Sequence, residues 1–258
     1  PLDKRIFPWN HANCGDLNLS GERRPQSYLR ETLWSDAPVS HIVVTPPVPS
    51  FPLNPDKADW SVWDFPDVVD HWNFPGYEGK KMTVSVYSNC EQVELFLNGE
   101  SLGKQENTAD KKNTLVWEVP YAHGILKAVS YNKGGEVGTA TLESAGKVEK
   151  IRLSADRTEI VADGNDLSYI TLELVDSKGI RNQLAEELVE FSIEGDATIE
   201  GVGNANPMSI ESFVANSRKT WRGSNLLVVR SGKSSGRIIV TAKVKALPVA
   251  SITITQKK

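Results

Sequence analysis

The chain has 258 residues, long enough for two domains. Its composition, 39% hydrophobic and 24% charged, is that of an ordinary globular protein. A net charge of −4, with basic residues scattered rather than clustered, excludes a nucleic-acid surface, and no apolar run reaches the length of a membrane span.

Residues 1–24 read as loop, rich in Asn, Gly, Asp and Arg. The chain opens on Pro1 with no charged-then-apolar leader, and Phe7-Pro8-Trp9-Asn10 has no earlier element to pack against. A piece of a longer protein is therefore expected. Pro25 sits where a first helical turn tolerates proline, and Tyr28, Leu29, Thr32 and Leu33 recur at helical spacing. This predicts a helix over 25–34, stopped by Ser35-Asp36-Ala37-Pro38. His41–Val44 reads as a short strand or extended segment. Pro46, Pro47, Pro49, Pro52 and Pro55 then hold the backbone extended and block ladder pairing, predicting a stiff connector.

An aromatic-dense stretch follows: Trp60, Trp63, Phe65, Trp72, Phe74 and Tyr77. Over Lys81–Lys104, Val84 and Val86 alternate with polar neighbours, as do Val93, Leu95 and Leu97, and Asn98-Gly99 supplies a two-residue hairpin turn. Strands at Thr114–Val119 and Ile125–Tyr131, with a last hairpin turned at Gly134-Gly135, complete a small β-sandwich. Gly146 marks a boundary. Beyond it Ile151–Leu153, Ile160-Val161, Tyr169–Val175, Val189–Ile193, Leu226–Val229, Ile238–Val244 and Ile252–Ile254 form short strands between Gly and Asp turns. That spacing predicts an immunoglobulin-like sandwich, without the Cys-Trp-Cys core of antibody domains.

Little in the chain arranges chemistry. Cys14 and Cys90 read as free thiols, and His11, His41, His71 and His123 lack metal-ligand spacing, so neither a metal nor a cofactor is expected. The aromatic patch has two readings, a plug of large rings at a domain seam or a sugar-stacking platform built on Trp60, Trp63 and Trp72. Asp64, Asp67 and Asp70 beside it read as solvated or capping carboxylates rather than an acid–base pair. Gly201-Val202-Gly203 lacks the third glycine and following helix of a dinucleotide site and reads as a turn or bulge. Trp9, Asn10 and His11, clustered in a loop before the helix, could line a polar pocket.

Longer stretches carry a resemblance. FPWNHANCGDLNLSGERRPQSYLRETLW resembles the end of the catalytic barrel of glycoside hydrolase family 2, in its β-galactosidase-like members. DVVDHWNFPGYEGK, VYSNCEQVELFLNGESLGK and WEVPYAHGILKAVSYNKG are similar to the sandwich that follows that barrel. KIRLSADRTEIVADGNDLSYITLELVDSKG and GVGNANPMSIESFVANSRKTWRGSNLLVVRSG resemble the final immunoglobulin-like domain.

The resemblance implies a mainly β fold: two consecutive immunoglobulin-like β-sandwiches preceded by a loop and one helix left over from a (β/α)8 barrel. The expected division is a barrel remnant at 1–45, a connector at 46–59, a first sandwich at 60–145 and a second at 146–258. The family's chemistry is retaining hydrolysis by two glutamates at barrel strand ends. Those strands precede this chain, so no catalytic residue is assigned here, and Glu22 and Glu31 are not promoted. Trp9, Asn10 and His11 become candidate rim contacts to sugar. The implied partner is the catalytic barrel of the same polypeptide, with oligosaccharide as a candidate ligand, homo-oligomer contacts as a candidate role, and a periplasmic or secreted parent protein. A carbohydrate-binding module and a cell-surface adhesin are the alternatives.

Overall fold

The computed structural model describes residues 7–10, 15–51 and 66–258. About half of the chain is strand, with one α-helix among the described residues. Two compact units form, one of Pro1–Asn18 with Glu22–Ser144, the other of Leu19–Gly21 with Ala145–Lys258.

The first unit carries the helix α1 (Ser27–Trp34) and strands β1 (Ser40–Val44), β2 (Lys81–Ser88), β3 (Gln92–Leu97), β4 (Glu100–Glu106), β5 (Thr114–Pro120), β6 (Ile125–Asn132) and β7 (Gly135–Glu143). They make two antiparallel sheets, ordered β1-β2-β5 and β4-β3-β6-β7. The period-two pattern decides which face each side chain takes. Ile42, Val44, Val84, Val86, Leu115, Trp117 and Val119 from one sheet meet Val93, Leu95, Leu126 and Ala128 from the other in one core. Asn98 and Gly99 turn the β3–β4 hairpin at φ of 52° and 87°, the left-handed pair that a type I′ turn demands.

The last hairpin departs from expectation by one residue. Its left-handed positions are Lys133 and Gly134, at φ of 51° and 77°, while Gly135 already pairs with Asn132. Residues 40–44 also depart from the expected division. β1 is a full strand of the first sandwich, its Ser40–Val44 paired with Ser88–Val84, rather than part of a remnant ending at 45. The expected connector lies mostly outside the described residues.

The second unit contains β8 (Lys150–Ala155), β9 (Glu159–Val161), β10 (Leu167–Val175), β11 (Leu188–Glu194), β12 (Ala197–Gly203), β13 (Ser217–Lys219), β14 (Ser224–Ser231), β15 (Gly236–Val244) and β16 (Ala250–Lys257). One sheet runs β12-β14-β10-β8, the other β13-β11-β15-β16-β9, with β9 pairing β16 in parallel. Ile170, Leu172, Leu174, Leu227 and Val229 face Val189, Phe191, Ile238, Val240 and Ile254 across the core. The register of β12 on β14 shifts between Ile199 and Gly201, a bulge at the glycine-rich string. Gly223 turns the chain between β13 and β14 at φ of 69°, and a Cβ there would stand 2.3 Å from the Asn182 carbonyl oxygen, so only glycine fits.

Candidate functional site

The residues singled out in the sequence meet different fates. Trp9 is half-buried, its ring edge-on to Phe51 with centroids 4.8 Å apart, and Asn10 beside it is exposed. His11, Cys14, Trp60 and Trp63 lie outside the described residues. Trp72 is 0% exposed. Its indole N–H donates to the Ala122 carbonyl at 2.8 Å, and its carbonyl accepts from the Ser144 hydroxyl. Phe74 and Tyr121 stand edge-on to it at 5.9 and 4.9 Å. The ring has no free face, which removes Trp72 from the sugar-stacking set: an indole walled by two aromatic rings is core, not platform. Cys90 is a buried free thiol.

The structure brings together a group that the sequence did not single out. On β1, Ile42 and Val44 point into the sandwich, while His41 and Val43 occupy the opposite face, where α1 docks. Tyr28 and Leu29 of α1 pack on a small cluster of Val43, Val68 and Tyr87. Asn113 anchors the far side of the helix, donating to the Thr32 hydroxyl at 3.0 Å. The Tyr28 ring lies flat on the His41 imidazole, 3.5 Å between centroids at 14°, and the Arg23 guanidinium covers the other face of the tyrosine at 4.0 Å. Burial drives the His41 pKa from 6.5 down to about 4; Asp70 and Glu31 pull it back up, and Arg23 adds to the depression. His41 Nε2 is buried without a hydrogen-bond partner.

Beside this stack lies a cavity of about 370 Å³ lined by Asp16, Arg23, Arg30, Glu31 and Trp34, with Ser27 and Ser35. Two carboxylates in one hollow could suggest acid–base chemistry, but each is held by its own arginine: Arg23 to Glu31 at 2.6 Å and Arg30 to Asp16 at 3.1 Å. A second, open hollow on the other unit, of about 600 Å³, is lined by Ser154, Asp156, Tyr169, Thr171 and Leu226, with Asp156 its one acid. Asp156 Oδ1 is already engaged, accepting from the N–H groups of Arg157 and Tyr169.

Among the described residues, the carboxylates whose titration is displaced are Asp110, Asp163, Asp166, Asp176, Asp196 and Glu200, and every displacement is downward. Bonds to the N–H of Asn165, the N–H of Val161 and the Arg230 guanidinium depress Asp163, Asp166 and Glu200 respectively. A general acid needs the reverse, a carboxyl pushed up toward neutrality. No cluster of three metal-ligating side chains occurs among the described residues, and no described helix is long and apolar enough to cross a membrane.

A buried arginine is the second group the sequence did not announce. Arg218, the inward residue of β13, is 1% exposed. Its Nη1 donates to the carbonyls of Val202 and Glu211, both at 3.2 Å, and its Nη2 to the Ser209 hydroxyl at 3.0 Å. Burial lowers its pKa, and the Glu211 carboxylate, 4.0 Å from Nε, opposes that. The sequence carries no strand signal around position 218, so neither β13 nor its inward arginine could be read from it.

The chain matches glycoside hydrolase family 2 C-terminal domain 5 over residues 151–253 and a domain of unknown function, DUF4982, over residues 79–138. It is 30% identical over 253 residues to a β-galactosidase of Bacteroides ovatus, a match covering 98% of this chain and 26% of that protein. A β-glucuronidase of Formosa agariphila is 30% identical over 205 residues, 77% of this chain and 20% of the relative. Among solved structures, a glycosyl hydrolase family 2 member from Bacteroides cellulosilyticus superimposes with a TM-score of 0.90 at 95% identity, over 95% of this chain and 32% of that one. A β-glycosidase from Bacteroides vulgatus gives a TM-score of 0.78 at 25% identity, over 93% and 28%. The chain thus spans under a third of the length of these relatives. It belongs to glycoside hydrolase family 2 and corresponds to the C-terminal region of that family's proteins.

Proposed function

We propose that this chain is the non-catalytic C-terminal region of a β-galactosidase-like retaining glycoside hydrolase, where it braces the catalytic barrel and shapes the rim of its cleft. The observation that carries this reading is the state of the carboxylates. The displaced ones are displaced downward, and the two that share a cavity are each tied to an arginine. Retaining hydrolysis needs an acid whose pKa is raised and, about 5–5.5 Å from it, a free nucleophilic carboxylate. In this region, acids fasten turns and strands. The names of the relatives, β-galactosidase and β-glucuronidase, support a β-glycoside as the substrate of the whole protein.

Two measurements test the reading. Pure 258-residue protein mixed with chromogenic β-galactoside and β-glucuronide is expected to give no hydrolysis above buffer, and measurable turnover overturns the non-catalytic assignment. In the full-length polypeptide, Trp9→Ala is expected to raise KM severalfold more than it lowers kcat, as loss of a rim contact should. An unchanged KM removes Trp9 from the rim.

A further inference from the structure

The helix α1 is a weak element held in place from outside. It has eight residues, where an isolated helix needs about twelve to fifteen to persist in water. No side chain caps its N-terminus, no acid lies in its first turn and no base in its last. At its C-terminal end Leu33 and Trp34 are 63% and 80% exposed. The sandwich fastens it through Tyr28 and Leu29 on the Val43, Val68 and Tyr87 cluster, through Asn113 to Thr32, and through Asn89 to the Ser35 carbonyl. The remaining fastening is the flat contact of Tyr28 with His41.

That contact suits a neutral imidazole only. His41 Nε2 is buried without an acceptor, so a proton there makes an N–H that donates to nothing. The Tyr28 ring above it already carries the Arg23 guanidinium on its other face, which sets a second cation against the first. The titratable groups around the imidazole come from three sides. From α1 and the turn before it come Tyr28, Glu31 and Arg23; Tyr87 pairs with His41 from β2; Asp70 follows Val69, which bridges to β1 at Val44. Asp70 and Glu31 favour the charged imidazole, but Glu31 is bound to Arg23 at 2.6 Å, and burial outweighs both carboxylates. Burial also pushes the Tyr87 phenol up, so it stays neutral.

We infer that His41 is an acid-sensitive clasp: protonating its imidazole loosens α1 from the first sandwich while the strands stay folded. With Tyr28 lifted, the imidazole is solvated and regains its ordinary 6.5, against about 4 when covered. Docking opposes protonation, so protonation opposes docking by the same factor. The strands do not depend on the clasp, because Ile42 and Val44 bury the opposite face of β1 in the sandwich core.

Amide hydrogen exchange of the 258-residue protein tests this, read as protection factors for residues 31–35 and for β2 and β5 between pH 7.5 and 4.5. Opening of α1 should become roughly thirty- to hundredfold more frequent over that range. The rise should begin near pH 6.5, where ordinary carboxylates are still ionised. It should depend little on sub-denaturing urea, as a local opening does. In His41→Phe, which keeps a flat ring under Tyr28, the rise should vanish. An equal rise in the variant assigns it to Glu31 or Asp70 and overturns the inference. Constant protection of α1 in the wild type also overturns it, since a carboxylate would then neutralise the imidazolium in place. Exchange as urea-dependent as that of β2 does the same, because the helix would then leave only with the whole unit. If the variant does not fold, the wild-type onset decides alone: a rise confined below pH 5 belongs to carboxylates and overturns the clasp.

Discussion

Acidification should destabilise the first unit through His41. Burial beneath Tyr28 moves this imidazole from its ordinary 6.5 to about 4, so between those values the unfolded chain binds a proton that the folded chain refuses. The sign follows from the proton count. The contribution is fully present above pH 6.5, is lost as pH falls toward 4, and loses nothing further below that. Relative to pH 7.5, linkage puts the loss at about 1 kcal/mol by pH 5.5 and about 2–3 kcal/mol by pH 4.5. Asp70, Glu31 and Arg23 also act on this site, and carboxylates elsewhere titrate in the same range, so the informative quantity is a difference. His41→Phe keeps a flat ring against Tyr28, removes the titrating group, and removes the unpartnered Nε2. Urea unfolding followed by tryptophan fluorescence, in which Trp34, Trp72 and Trp117 report on the first unit against Trp221 on the second, gives stability at each pH. The wild type should lose about 2–3 kcal/mol more than the variant between pH 7.5 and 4.5. Parallel profiles would mean that the folded imidazole takes up its proton freely, and the buried stack would be refuted.

Trp72→Ala should destabilise the first unit by about 3–5 kcal/mol, because it empties a fully enclosed indole site and orphans the Ala122 carbonyl; a loss under 1 kcal/mol in the same urea assay contradicts the enclosure. Arg218→Met should leave the Val202 and Glu211 carbonyls and the Ser209 hydroxyl without their donor, costing about 2–4 kcal/mol. Hydrogen exchange should rise across residues 204–216, and unchanged protection there would show that Arg218 does not hold the segment. Gly223→Ala should cost the second unit at least about 2 kcal/mol, from the left-handed φ and the clash with the Asn182 carbonyl. A neutral result in thermal unfolding would contradict that turn.

What the sequence shows plainly is local. Val84 and Val86, Val93 and Leu95, and the run from Tyr169 to Val175 each declare a strand and its inward face, because burial of one sheet face imposes a period of two over a few residues. Asn98-Gly99 declares its turn because a type I′ hairpin demands left-handed backbone at both positions. Lys133 hides the neighbouring turn, since lysine carries no local sign that it will adopt φ of 51°. Partners distant in sequence are hidden more deeply. β1 pairs with β2 across an intervening stretch of some forty residues rich in proline, and nothing in Ser40–Val44 names that partner. β9 shows in the sequence as Ile160-Val161, but nothing in those residues says that it joins β16, and in parallel.

The side chains with unusual environments were concealed for a related reason. A histidine or an arginine acquires its character from what packs over it, not from its neighbours in the chain. His41 is one polar residue at the start of an apolar strand until α1 lays Tyr28 on it. Arg218 is one basic residue among Arg218, Lys219 and Arg222 until the 204–216 segment closes around it. Trp72 was open to two readings, a buried plug or a sugar platform, and its packing makes it core. The family resemblance bridged this gap only at the level of domains. It spans the quoted 204–216 segment without explaining why serine, glutamate and phenylalanine stand there before an arginine. The geometry supplies a reason: the Ser209 hydroxyl accepts from the Arg218 guanidinium, the Glu211 carboxylate accepts from the Lys219 N–H and stands 4.0 Å from Arg218 Nε, and Phe213 lies across the guanidinium face. The apolar residues interleaved with them, Ile210 and Val214, are left pointing outward.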